Sequence, residues 1–137
     1  MPQPLHNFTV DSPVNVESEP YLKEFADFME EYGNTEKSAD DVGVTLTRFA
    51  QYYAMYSLKL TAATRRMSLK AQAISTSYDD NGKPITAAKA QFLCDATDEA
   101  LLVNLVKTHV NNVEGFLSAL RALQKGLMNE YNHMANT

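Results

Sequence analysis

Residues 45–78, TLTRFAQYYAMYSLKLTAATRRMSLKAQAISTSY, contain neither glycine nor proline, so nothing in them forces a helix to break. Leu46, Phe49, Tyr53, Tyr56, Leu60, Ala63 and Met67 recur at alternating spacings of three and four. That is the seam of a helix that buries one narrow face against another helix. Lys70 takes the next seam position, and the stripe resumes through Ala71, Ile74 and Tyr78. The stretch carries five cations, Arg48, Lys59, Arg65, Arg66 and Lys70, and no Asp or Glu. A solvated helix face ordinarily mixes the two signs, because opposite charges one turn apart support each other. A helix of one sign needs an anion from elsewhere.

The remaining residues read as what holds this helix and balances its charge. Net charge is −5 overall. Residues 1–44 carry two cations against ten anions, and residues 79–137 carry five against seven. Acidity of the whole argues against nucleic acid, but binding depends on a local positive patch, and here the cations are segregated.

Residues 1–17, with Pro2, Pro4 and Pro13 and no sustained period, read as an extended or disordered arm, leaving 18–137 as one all-helical domain. Ser18-Glu19-Pro20 reads as a helix start, and Tyr21, Phe25, Phe28 or Met29, and Tyr32 repeat at helical spacing up to a stop at Gly33. The opposite face of this helix, 19–32, bears Glu24, Asp27, Glu30 and Glu31. Asn34 to Gly43 reads as a polar linker. Asp79-Asp80-Asn81-Gly82-Lys83-Pro84 is a turn, read as a helix–helix connection because its flanks have helical period. Thr86 is placed to cap a helix at 86–95 and Thr97 one at 98–134. The last helix has a seam of Leu102, Val106, His109, Val113, Phe116, Leu120, Leu123, Leu127, Tyr131 and Met134.

The fold expected is therefore all-α: a long antiparallel helical hairpin with a short N-terminal helix packed across it or reaching to a neighbouring chain. Leu101, Leu105, Val110 and Leu117 lie outside the last seam. Two helices cannot bury them all, so a homo-oligomer is expected.

No enzyme is expected. His6, His109 and His133 are scattered, Cys94 is alone among apolar neighbours, and no Walker-type phosphate loop, GxSxG or HExxH is present. No metal or cofactor is expected. No apolar run approaches the roughly 20 residues of a membrane span. The N-terminus lacks the pattern of a signal peptide, and the single cysteine suits a reducing cytoplasm.

The basic helix carries the functional expectation. Lys59, Arg66 and Lys70 form one stripe, Arg65 lies beside it, and Tyr52 and Tyr56 extend it. Cations interleaved with aromatic rings suit single-stranded nucleic acid, the cations tracking phosphates and the rings stacking on bases. The plainer alternative is a solvated flank paired with the acidic helix 19–32, its tyrosines in the core. Two further alternatives stand beside these: a helical interaction or inhibitor protein using Tyr21, Phe25, Phe28 and Tyr32, and a binder of small anions at an oligomer interface through Arg65 and Arg66.

The order of an acidic N-terminal part, YYAMYSLKLTAATRRMSLKA at 52–71, a glycine-containing turn, Asp95-Ala96 and a long last helix resembles the UvsY-type recombination mediators of T-even phages. Leu69-Lys70-Ala71 matches that family's Leu-Lys-Ala segment, where a basic residue follows two places after the lysine. Here that place is Gln72, so only Lys70 carries over directly and Arg65 and Arg66 would supply the missing charge. The resemblance implies a ring-like oligomer in the host cytoplasm. Such a protein binds single-stranded DNA, loosens the single-strand-binding protein and helps a recombinase load.

Overall fold

A computed structural model of the chain describes residue 14 and residues 19–135. The expected arm lies outside the described residues except for Val14, which is half-buried against the core. Among the described residues four helices follow in order: α1 (Pro20–Asn34), α2 (Ala39–Ser75), α3 (Ala87–Asp95) and α4 (Asp98–Ala135).

α1 starts with Pro20 in the first turn, where a missing N–H costs nothing. Ser18, expected to cap it, lies outside the described residues. Gly33 does not stop the helix. It continues to Asn34, and Thr35 closes it by donating its N–H to the Glu31 carbonyl at 2.8 Å.

The polar linker expected at 34–43 already contains the start of α2. Ser38 and Asp41 form a capping box: the Asp41 N–H donates to Ser38 Oγ at 3.1 Å, and the Ser38 N–H donates to Asp41 Oδ2 at 2.9 Å. Those bonds, the backbone one first, hold the Asp41 carboxyl below its ordinary range. Val42 is thereby fully buried, and Gly43 becomes a helical residue. Its lack of a side chain has a use, because a Cβ there would sit 2.9 Å from Gln124 Nε2, which donates to the Ala39 carbonyl at 3.2 Å.

The 79–84 segment connects two helices, as expected, and closes on itself like a miniature hairpin. Tyr78 and Pro84 form an isolated antiparallel bridge. Asp79 organises the loop, its carboxylate accepting from the backbone N–H groups of Asn81 and Lys83, each at 2.9 Å. Gly82 takes a φ of +75°, a region that disfavours side chains. Thr86 accepts from the Lys89 N–H at the start of α3, and Thr97 from the Ala100 N–H at the start of α4.

α2 and α4, 37 and 38 residues long, pack along each other. Phe49 meets Phe116, Tyr56 meets His109, and Gln124 reaches Ala39. Rising numbers on one helix meet falling numbers on the other, so the two run in opposite directions. α1 lies across their shared groove. Its Tyr21 stands edge-on to Tyr56 and His109, with centroids at 5.3 and 5.5 Å, and Phe25 stacks on Phe116 at 3.9 Å.

The presence of α1 in the core changes which apolar residues need cover. Val110 and Leu117 are buried within the chain, Leu105 is half-buried, and Leu101 stays 61% exposed. Val110 and Leu117 share a buried cluster with Tyr21 and Phe28 of α1, so much of the surplus that motivated an oligomer is absorbed internally. Tyr131 of the expected seam is instead 72% exposed, because α2 begins opposite Gln124 and α4 runs on beyond it.

The α2 seam is also offset from the expected one. Its buried residues are Val42, Phe49, Tyr52, Tyr56, Lys59 and Ala63. Tyr53 is 36% exposed and Leu60 only half-buried. Among the described residues no helix is long and apolar enough to cross a membrane.

Candidate nucleic-acid interface

The six residues expected to form one surface stripe divide into two groups. Tyr52 and Tyr56 are fully buried, and Lys59 is 3% exposed. Arg65, Arg66 and Lys70 are exposed. Burial removes the first three from any surface that could stack bases or touch phosphates, which corrects the expectation for them.

Tyr52 and Tyr56 belong to a ring cluster inside the core with Tyr21 and His109, and Lys59 and Glu19 are buried as well. Tyr56 donates its hydroxyl proton to Glu19 Oε1 at 2.7 Å. The Tyr21 hydroxyl lies 2.5 Å from His109 Nδ1 and accepts from Asn112 Nδ2 at 3.2 Å. Burial pushes the Tyr56 hydroxyl far above the ordinary phenol value, and the Glu19 carboxylate that accepts its proton pushes it further. Burial raises Tyr21 as well, with the Asn112 hydrogen bond opposing and the Glu19 charge adding. No buried polar side-chain atom is left unsatisfied among the described residues, as a core of this kind requires.

Arg48 is the cation that the acidic helix claims. It pairs with Glu24 of α1, and its guanidinium lies 5.5 Å from the centre of the Tyr52 ring. Tyr52 donates to the same Glu24 carboxylate. The plainer alternative, basic helix against acidic helix, therefore describes Arg48. It does not extend to Arg65, Arg66 and Lys70. α1 begins beside Tyr56 and runs toward the start of α2, away from them.

The three exposed cations occupy two turns near the end of α2, and no acidic side chain occurs from residue 45 to 78. α3 packs against α2, and beyond α2 the turn and α3 add the exposed Lys83 and Lys89. The only acids between 65 and 94 are Asp79 and Asp80, and Asp79 is engaged in shaping its loop. Two exposed rings also lie on these elements, Tyr78 at 70% and Phe92 at 72%. Sequence reasoning misses both. Tyr78 fits a seam that α2 does not extend to, and Phe92 sits next to apolar neighbours around Cys94. Cys94 itself is buried.

Among the described residues no group of three or more His, Cys, Asp or Glu is placed to hold a metal ion. The open groove between α1 and the start of α2 is lined by Glu24, Asp27 and Glu31 together with Lys23 and Arg48. Its acidic side chains do not suit an anionic ligand.

No protein-family model, no curated protein and no solved structure matches this chain.

Proposed function

We propose that this chain is a non-catalytic, all-helical protein that binds single-stranded DNA through the end of α2. The observation that carries this reading is the exposure of Arg65, Arg66 and Lys70 together, on a stretch without a single carboxylate. Phosphates supply the anion that these side chains lack in their own helix. Lys83 and Lys89 widen the positive surface, and Tyr78 and Phe92 take the base-stacking role that burial denies to Tyr52 and Tyr56.

The resemblance to UvsY-type mediators extends the proposal. The two long helices act as an antiparallel hairpin, copies assemble into a ring-like homo-oligomer, and their basic ends line one strand. The protein then helps a recombinase replace single-strand-binding protein in the cytoplasm of a host cell. No bond is made or broken, and neither cofactor nor membrane takes part.

The test is fluorescence anisotropy of a labelled single-stranded oligonucleotide with the full chain and with an Arg65→Ala/Arg66→Ala/Lys70→Ala variant. All three side chains are exposed, and alanine favours helix, so the variant should keep its helical circular dichroism. Loss of binding with the fold intact supports the reading. Equal binding by the two proteins removes it.

A further inference from the structure

The outer side of α2 carries a second periodic stripe beside the core face. Met55, Leu58, Ala62, Arg65 and Leu69 follow one another at spacings of three and four. At about 100° per residue they lie about a third of the way round the helix from the buried Tyr52, Tyr56 and Ala63. Leu58 is 59% exposed and Leu69 60%, while Met55 and Ala62 are half-buried between the two faces. Scattered surface leucines mean little. Two leucines in heptad register, with Ala62 between them on the same line, form the face a helix presents to another helix.

Charge decides what can cover it. Arg65 stands within the stripe, and no carboxylate occurs between residues 45 and 78. A second copy of this face would bring Arg65 against Arg65, with no carboxylate from residue 45 to 78 on either side. We infer that the Leu58–Leu69 face of α2 is a docking surface for an amphipathic helix of a protein partner, one that flanks its apolar stripe with carboxylates. The partner's apolar residues seat against Leu58, Ala62 and Leu69, and its acids pair with Arg65, the guanidinium fork taking a carboxylate with two hydrogen bonds. The inference does not depend on the DNA reading. Arg65 is the residue both surfaces share, and a docked helix would compete with DNA for it.

The test uses a labelled synthetic helical peptide with a leucine heptad stripe flanked by glutamates, and a control peptide with lysines in place of the glutamates. Each is titrated into the full chain and into a Leu58→Ser/Leu69→Ser variant, whose changes are at exposed positions. The acidic peptide should bind the wild type and lose about tenfold or more with the variant, while the basic peptide binds neither. Single-strand affinity should stay the same in both proteins, which keeps a failure here separate from a failure of the DNA reading. Absence of acidic-peptide binding, or binding that the two serines leave unchanged, overturns the proposal. So does binding of the face to phosphatidylglycerol-containing vesicles without the peptide, which would make it a membrane surface. A wild-type dimer that the serines dissociate would make it a copy-to-copy interface and overturn it as well.

Discussion

Tyr56→Phe separates a core tyrosine from a base-stacking one. The ring is fully buried and its hydroxyl donates to Glu19 at 2.7 Å, while Glu19 is itself only 7% exposed. Phenylalanine keeps the ring contacts with Tyr21 and His109 and removes that one donor from an enclosed carboxylate. A hydrogen bond to a charged group contributes about 1.5–3 kcal/mol, and the partner left behind stays desolvated. For a chain of this size that corresponds to a melting temperature lower by roughly 5–10 °C, read by far-ultraviolet circular dichroism. The alkaline limb gives a second signature. The Tyr56 hydroxyl is raised by burial first and by Glu19 next. Its contribution to stability is therefore complete below the unfolded value of about 10 and is lost as pH rises toward the folded value. Phenylalanine has no such proton, so the advantage of wild type over variant should shrink as denaturant midpoints are followed from about pH 8 to about pH 11. Tyr21, also raised, contributes to the slope of both proteins. Single-strand affinity should not change. An unaltered melting temperature, or a difference that widens with alkali, would refute the buried Tyr56–Glu19 contact.

Lys59→Ala should behave as a core substitution, destabilising by about 2 kcal/mol or more without changing the DNA affinity of the folded fraction; Arg66→Ala/Lys70→Ala should do the reverse, with stability held within about 0.5 kcal/mol at these exposed positions. Urea titration and oligonucleotide binding on the same preparations check both. A methyl group added at Gly115 or Gly126 would meet nothing beyond its own helix within 4 Å, so each change to alanine should stabilise α4 by about 0.5–1 kcal/mol. Gly82→Ala, at a φ of +75°, should cost about 1 kcal/mol instead. Ser38→Ala removes half of the capping box and should cost about 1 kcal/mol, seen as a lower denaturant midpoint.

The all-helical class is plain in the sequence, because sustained three-and-four spacing and the Asn81-Gly82 turn leave few alternatives. The breaks near Thr86 and Thr97 are also readable, each from a hydroxyl that can cap the following helix. The start of α2 is not. Gly43 looks like the end of a linker, although the Ser38-to-Asp41 spacing already holds the capping signal. The seam is misplaced for a different reason. α2 is apolar on more than one side, so Tyr53 and Leu60 fit a stripe as well as Tyr52 and Lys59 do. Ranking by hydrophobicity favours Leu60 over a lysine. What selects the Tyr52–Tyr56 line is α1, which brings Glu19 and Tyr21 to the α2–α4 groove, and that docking is not written in the periodicity of α2. The candidate site suffers from the same gap. A cation's position along a helix says which neighbours it has, and only the packing of α1 and α4 says whether it meets solvent.

The salt dependence of single-strand binding tests the central claim most directly. If Arg65, Arg66 and Lys70 contact phosphates, log affinity should fall linearly with log salt, with a slope contribution of about −0.7 for each contact. Replacing all three by alanine should weaken binding similarly for every base sequence and make the slope shallower by roughly 2. A wild-type slope that the triple substitution leaves unchanged would contradict the account, because the exposed end of α2 would then have no part in holding the strand.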